Sequence, residues 1–149
     1  MINNHLVMDA MTMQQIKARY DEAEEQNNTE GMEAARKSYQ QLSERIEKRG
    51  ASYVKVYRLY EDAVERGNEY IDINDAIWEK DVADLIQNLR ENGVEHFTFS
   101  STWSGAVEIA WLFTQNGCTL EGLVEINSRF TDTFTGEREK VHGYLFAIH

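Results

Sequence analysis

The sequence predicts an α+β fold. A long antiparallel helical hairpin with coiled-coil-like packing (1–67) precedes a small β-α-β-α-β-β sheet unit (68–149). Three observations carry this reading. Apolar residues recur in alternating steps of three and four as far as Ala63, the mark of packed helices. From Tyr70 onward the period changes, and short strand-like runs alternate with one-sided helical stretches. The 149 residues contain no proline, which long helices and covered strands both exclude.

The first helix is expected from Met8 to about Asn27, with Met13, Ile16, Tyr20 and Ala23 on one face. Asn27-Asn28-Thr29 reads as a turn, with Thr29 as N-cap and Glu30 and Glu33 in the positive first turn. The second helix has the strongest periodicity in the chain. Met32, Ala35, Tyr39, Leu42, Ile46, Arg49, Tyr53, Val56, Tyr60 and Ala63 form a seam in which only Arg49 is polar. The seam keeps its phase across Gly50, which favours one helix from Thr29 to Arg66, about 57 Å long and bent at the glycine. Arg66-Gly67-Asn68 then supplies a cation and an αL cap. The first helix is too short to cover this seam, so its remainder must pack on the C-terminal half or on a second molecule. A homodimer through the long helix is the oligomeric version of that choice.

In the sheet unit, Tyr70-Ile71-Asp72-Ile73 reads as a short strand. A helix begins between Asn74 and Glu79, with Trp78, Val82, Leu85, Ile86 and Leu89 on its buried face, and stops at Asn92-Gly93. Val94 to Ser100 is a strand. Ala106 to Phe113 is apolar nearly all round and is expected to be a buried helix, ended by Asn116-Gly117. Thr119 to Phe130 alternates, with Leu120, Gly122, Val124 and Ile126 on one face. Lys140 to Ile148 ends in the run Tyr144-Leu145-Phe146-Ala147-Ile148, which suits a central strand. The first two connections are expected to be parallel right-handed crossovers and the last pair an antiparallel hairpin. Trp78, Trp103 and Trp111 are expected to anchor the core.

The net charge of -11 is not spread evenly. Residues 1–58 and 126–149 are each neutral, and residues 59–125 hold fourteen acids against three bases. The densest run is Asp62, Glu65, Glu69, Asp72, Asp75, Glu79, Asp81 and Asp84. Two readings are open: a solvated face that keeps the chain soluble, or a docking surface for a basic partner. The acidic balance argues against direct nucleic-acid binding. No apolar run is long enough for a membrane helix, and the N-terminus lacks the pattern of a signal peptide, so a cytoplasmic location without membrane contact is expected. The single cysteine, Cys118, excludes an intrachain disulfide and reads as a buried small residue.

A second candidate site is Ser100-Ser101-Thr102-Trp103-Ser104-Gly105, where a strand ends and a helix begins. Ser101, Thr102 and Ser104 there suit an anion or small ligand, or simply helix capping. The segment is neither G-x-S-x-G nor a P-loop. His5, His96, His142 and His149 have no metal-ligand spacing, although His96 and His142 lie on strands that could bring them together. No catalytic residue, metal or cofactor is assigned. Arg36, Lys37, Arg45, Lys48, Arg49, Lys55 and Arg58 are expected to form salt bridges with the acidic middle.

Tyr70-Ile71-Asp72-Ile73, Glu91-Asn92-Gly93, His96 to Ser104 and Gly117 to Asn127 together resemble a family of small uncharacterised proteins of Gram-positive bacteria and their mobile elements. The likeness covers about residues 50–149 and implies no activity and no site residues. The context it implies favours accessory roles that counter host defences. Likeness to anti-CRISPR inhibitors is in size and charge only. The function expected first is therefore non-enzymatic: the acidic stretch docks on a basic nucleic-acid-binding protein, in the concrete case a CRISPR effector nuclease, and inhibits it. The alternatives are a small-ligand or enzymatic module using the Ser/Thr turn, and a structural homo-oligomer.

Overall fold

The computed structural model describes residues 1–75 and 77–149. Helices α1 (Asn4–Glu25), α2 (Thr29–Lys48) and α3 (Ala51–Arg66) precede strand β1 (Ile71–Ile73). A 3-10 turn (Glu79–Asp81) runs into α4 (Val82–Glu91), followed by β2 (His96–Phe99), α5 (Ala106–Gln115), β3 (Cys118–Thr131) and β4 (Arg138–Ile148). The fold is α+β with a long N-terminal helical pair, as the sequence predicts. Ala76, inside the range where the sequence places the start of the fourth helix, lies outside the described residues. Among the described residues no helix is long and apolar enough to cross a membrane.

α1 and α2 pack as a hairpin in which Leu6, Ala10, Met13 and Ile16 are buried with Ala35, Leu42 and Ile46. α1 begins earlier than its periodicity suggests because Asn3 caps it, accepting from the His5 N–H at 3.0 Å. At the hairpin turn the cap is Asn28 rather than Thr29: its Oδ1 accepts from the Gly31 N–H at 3.0 Å.

The long second helix is broken. α2 stops at Lys48, and Gly50 adopts φ 108° and ψ 162°, a backbone region essentially closed to other residues. Gly50 then serves as the N-cap of α3, its carbonyl accepting from the Val54 N–H at 3.0 Å. The seam keeps its phase because Ile46, Tyr53, Val56 and Ala63 all remain buried. Their neighbours change, however. α2 packs on α1, whereas α3 also reaches β1 and α4, so the second half of the seam is covered by the same chain. A Cβ at position 50 would meet nothing within 4 Å. Gly50→Ala therefore costs backbone conformation alone. It should lower unfolding free energy by about 1–2 kcal/mol in urea, with tyrosine and tryptophan fluorescence of the native state unchanged.

The four strands lie in the order β1-β2-β4-β3. β1 and β2 are parallel, with Ile71 opposite Phe97 and Ile73 opposite Phe99. β4 is antiparallel to both of its neighbours and occupies the centre, as its apolar run suggests. The second crossover does not yield neighbouring parallel strands, because β4 sits between β2 and β3. The Phe146 ring fills that place by stacking on Phe97 at 5.4 Å, while Phe113 of α5 meets both rings edge-on at 5.0 and 5.3 Å. A bulge also corrects the reading of β3. Leu120 pairs with Phe146 and Gly122 with Leu145, so the phase shifts at Glu121 and Leu120 points to the face opposite Gly122, Val124 and Ile126. One buried cluster runs from Leu6 in α1 through to Phe146 in β4.

α5 is not buried all round. It commits Ile109 and Phe113 to the core and leaves Val107 and Trp111 79% and 61% exposed. The tryptophans do not anchor the core either: Trp78 is 66% and Trp103 41% exposed. α5 packs on α4, β3 and the 3-10 turn, and Val107 and Trp111 remain exposed. Val82, Ile86 and Leu89 of α4 are buried as expected, and so is Cys118, whose thiol pKa is pushed up by burial against a smaller opposing effect of Arg90.

Candidate functional site

Seven of the eight acidic candidates separate into two groups, and Glu69 stands apart. Four are already engaged within the chain. Asp62 pairs with Arg66, and Glu65 with Lys17, which also holds Glu61 at 2.8 Å. Asp75 pairs with Arg129 at 2.8 Å. Asp72 is the clearest correction to a reading of the whole run as exposed, because it points into the fold from β1 and is 2% exposed. It accepts from Thr98 and Ser100 at 2.7 Å each and from Arg66 at 3.1 Å. Such a buried carboxylate, saturated by hydroxyls and a guanidinium, is a structural tie. Glu69 is exposed beside Tyr70, whose pKa is raised by burial and then by that carboxylate.

The other group, Glu79, Asp81 and Asp84, is exposed and makes no ion pair among the described residues. All three sit on the 3-10 turn and the first turn of α4, where the positive end of the helix favours negative charge. Asp81 and Asp84, with Asp75, rim a cleft of about 300 Å³ between α3 and α4. Its walls are Val56, Leu59, Ile73, Ile77 and Leu85, and among the described residues Lys55 is the one cation lining it.

Among the described residues the basic stretch makes no ion pair with the acidic middle, contrary to expectation. Arg45 and Arg49 converge instead on Asp9 of α1, at 3.3 and 2.9 Å, and the Tyr53 hydroxyl donates to the same carboxylate at 2.6 Å. Asp9 is 1% exposed. Burial opposes its charge, but the Arg49 and Tyr53 hydrogen bonds and the two guanidinium charges together hold its pKa below the ordinary value. The Tyr53 pKa is driven up, by burial first and then by Asp9. It is Lys17, in the first helix, that reaches the acidic stretch.

The Ser/Thr turn lies at the carboxyl end of β2, beside that of β1. Ser100 is committed to Asp72. Ser101 Oγ accepts from the Trp103 N–H at 3.3 Å and so braces the turn. Thr102 is exposed, and Ser104 lines an open groove with Trp78, Glu79, Lys80, Trp103, Gly105, Glu108 and Ile109. The N-cap of α5 is Gly105, without a side-chain cap bond, so the hydroxyls of this turn do not cap α5. His96 pairs with Glu121 at 2.8 Å, and β4 places His142 opposite Glu125, so the two strand histidines are not brought together.

The tryptophans are what sequence reasoning missed. Trp78 and Trp103 meet edge to face with centroids 6.0 Å apart. Val107 and Trp111, one turn apart on α5, are exposed too, so the tryptophan strip comprises Trp78, Trp103, Val107 and Trp111, with Glu108 exposed among them in sequence. The available signal was α5's excess of apolar residues over what one covered helix face can absorb.

A family model described as a domain of unknown function, DUF7698, matches residues 55–148, which is more than half of the chain. The chain belongs to the DUF7698 family. The match begins within α3 and takes in the whole sheet, all eight acidic candidates and the tryptophan strip. The whole of the DUF7698 match therefore lies outside the α1–α2 hairpin. No curated protein and no solved structure matches the chain.

Proposed function

We propose that this DUF7698 protein is a non-enzymatic interaction protein that docks on a basic surface and occludes it. One observation carries the reading. Glu79, Asp81, Asp84 and Glu108 are exposed carboxylates without an ion pair among the described residues, Glu79 and Glu108 line one open groove with the exposed Trp78 and Trp103, and Val107 and Trp111 of α5 are exposed as well. Exposed indoles beside uncompensated charge suit an interface in which aromatic anchors supply affinity and carboxylates supply selection and steering. A second copy of so acidic a chain would be repelled, whereas a positively charged groove that holds nucleic acid would be attracted.

The specific version is inhibition of an RNA-guided nuclease by competition with phosphate, in a family carried by mobile elements of Gram-positive bacteria. The test is DNA cleavage by a panel of such nucleases in the presence of the protein. Cleavage should slow, and the inhibition should weaken as salt rises from about 0.05 to 0.5 M. Charge reversal at Glu79, Asp81 and Asp84 should abolish it, while reversal at Glu69, beyond the strip, should reduce it far less. Inhibition that survives the triple reversal, or an absence of inhibition across the panel, would overturn the reading.

A further inference from the structure

The groove between the two tryptophans has the makings of a small-ligand site, whether or not the protein inhibits a nuclease. We propose that it binds an alkylated ammonium group. The Trp78 and Trp103 rings stand 74° apart, 6.0 Å between centroids, and form two walls of a corner. Glu79 and Glu108 line the same open groove of about 740 Å³. Indole faces attract cations through the ring quadrupole, and this is how quaternary ammonium groups are recognised. The two carboxylates add long-range attraction and disfavour an anion. A methylated cation is also cheaper to take from water than a bare ammonium, so it gains most from ring faces.

The corner is built into the backbone. The Trp78 carbonyl accepts from the Asp81 N–H at 2.9 Å, opening the 3-10 turn, and the Trp103 carbonyl accepts from the Ala106 N–H at 2.9 Å, opening α5. The Trp103 ring lies back across Gly105 so closely that a Cβ there would come within 2.3 Å of it. Gly105 has an ordinary φ of -86°, so it is space for the indole, not backbone freedom, that requires glycine. Among the described residues Lys80 is the one cation lining the groove, and it should oppose the ligand.

The experiment uses the full chain and follows the indole N–H resonances by NMR during titration. Choline is compared with 3,3-dimethylbutan-1-ol, its neutral isostere, and with a short peptide carrying trimethyl-lysine. Choline should shift the Trp78 and Trp103 signals with a Kd on the order of 1–10 mM, and the isostere should bind at least about tenfold more weakly. Trp78→Ala or Trp103→Ala should each weaken choline binding roughly tenfold, Gly105→Ala should weaken it by displacing the ring, and Lys80→Ala should tighten it about two- to threefold. A peptide that binds more tightly than choline assigns the cation to a partner's side chain, and equal affinity assigns it to a small molecule. Equal binding of the isostere, choline binding unchanged in Trp103→Ala, or no indole shift at about 50 mM choline would each overturn the proposal. Nuclease inhibition is a separate readout, so either proposal can fail without the other.

Discussion

Replacing Asp9 by alanine should destabilise the protein by about 3 kcal/mol, measured by urea unfolding at neutral pH, although Asp9 lies in no site. The substitution removes the one acceptor shared by Arg45, Arg49 and Tyr53, and it leaves the buried Tyr53 hydroxyl without its 2.6 Å partner. Asp9→Leu combined with Arg49→Met and Tyr53→Phe should recover most of the loss, because an apolar set of similar volume avoids desolvating the charges and leaves no buried hydroxyl unpaired. The pH dependence has a definite sign. The folded-state pKa of Asp9 lies below its ordinary value of 3.8, so its stabilisation is fully present above that value. It is lost as pH falls through the lower folded pKa. The gap between wild type and Asp9→Asn should therefore be constant at neutral pH and shrink below about pH 4. A gap that widens on acidification would show that the carboxylate is not held in its charged form.

Arg66→Ala should cost about 4 kcal/mol, the largest effect expected from a charged residue here. Arg66 is 3% exposed and faces Asp72 on β1, which is as deeply buried. Without the guanidinium, Asp72 keeps only the Thr98 and Ser100 hydroxyls, and a buried anion remains uncompensated. Arg66→Met with Asp72→Asn should restore more than half of the loss in thermal or chemical unfolding. Asp62→Ala removes the outer, partly exposed arm of the same cluster and should cost no more than about 1 kcal/mol. Equal losses from Asp62→Ala and Arg66→Ala would mean that the inner pair contributes nothing of its own.

Much of the fold was legible because helical and strand periodicities report which face of each element is buried. The seam from Ala35 to Ala63, the αL stop at Gly67 and the β3–β4 hairpin all follow from that. Periodicity does not report which element does the covering. The seam runs in phase through Gly50 although the helix does not, because both helices bury the same stripe against different neighbours. The same gap hid the tryptophans: α5 is apolar nearly all round, yet Ile109 and Phe113 are buried while Val107 and Trp111 are exposed. The acidic run was legible as a run, but its division was not. Asp72 is buried because β1 is covered on both faces, and only the tertiary position of Arg66 shows that a cation waits there. The Asp9 cluster did leave a trace. Leu6, Asp9, Met13 and Ile16 continue the first seam with one acid, and Arg49 is the one polar residue of the second.

The central place of β4 governs the order in which the chain can assemble. β2 and β3 have no hydrogen bonds to each other, and each pairs with β4. On the ribosome, β1, β2 and the helices around them can form early contacts, but the sheet has an empty slot until residues 138–148 emerge. Until then Phe97 and Phe113 lack the Phe146 ring that closes their cluster, so their apolar surface stays open to solvent. The N-terminal hairpin, built from contacts close in sequence, can be complete well before that. Translation thus produces a finished helical pair attached to an unfinished sheet, and the tryptophan strip and its carboxylates reach their final setting only when the last strand enters.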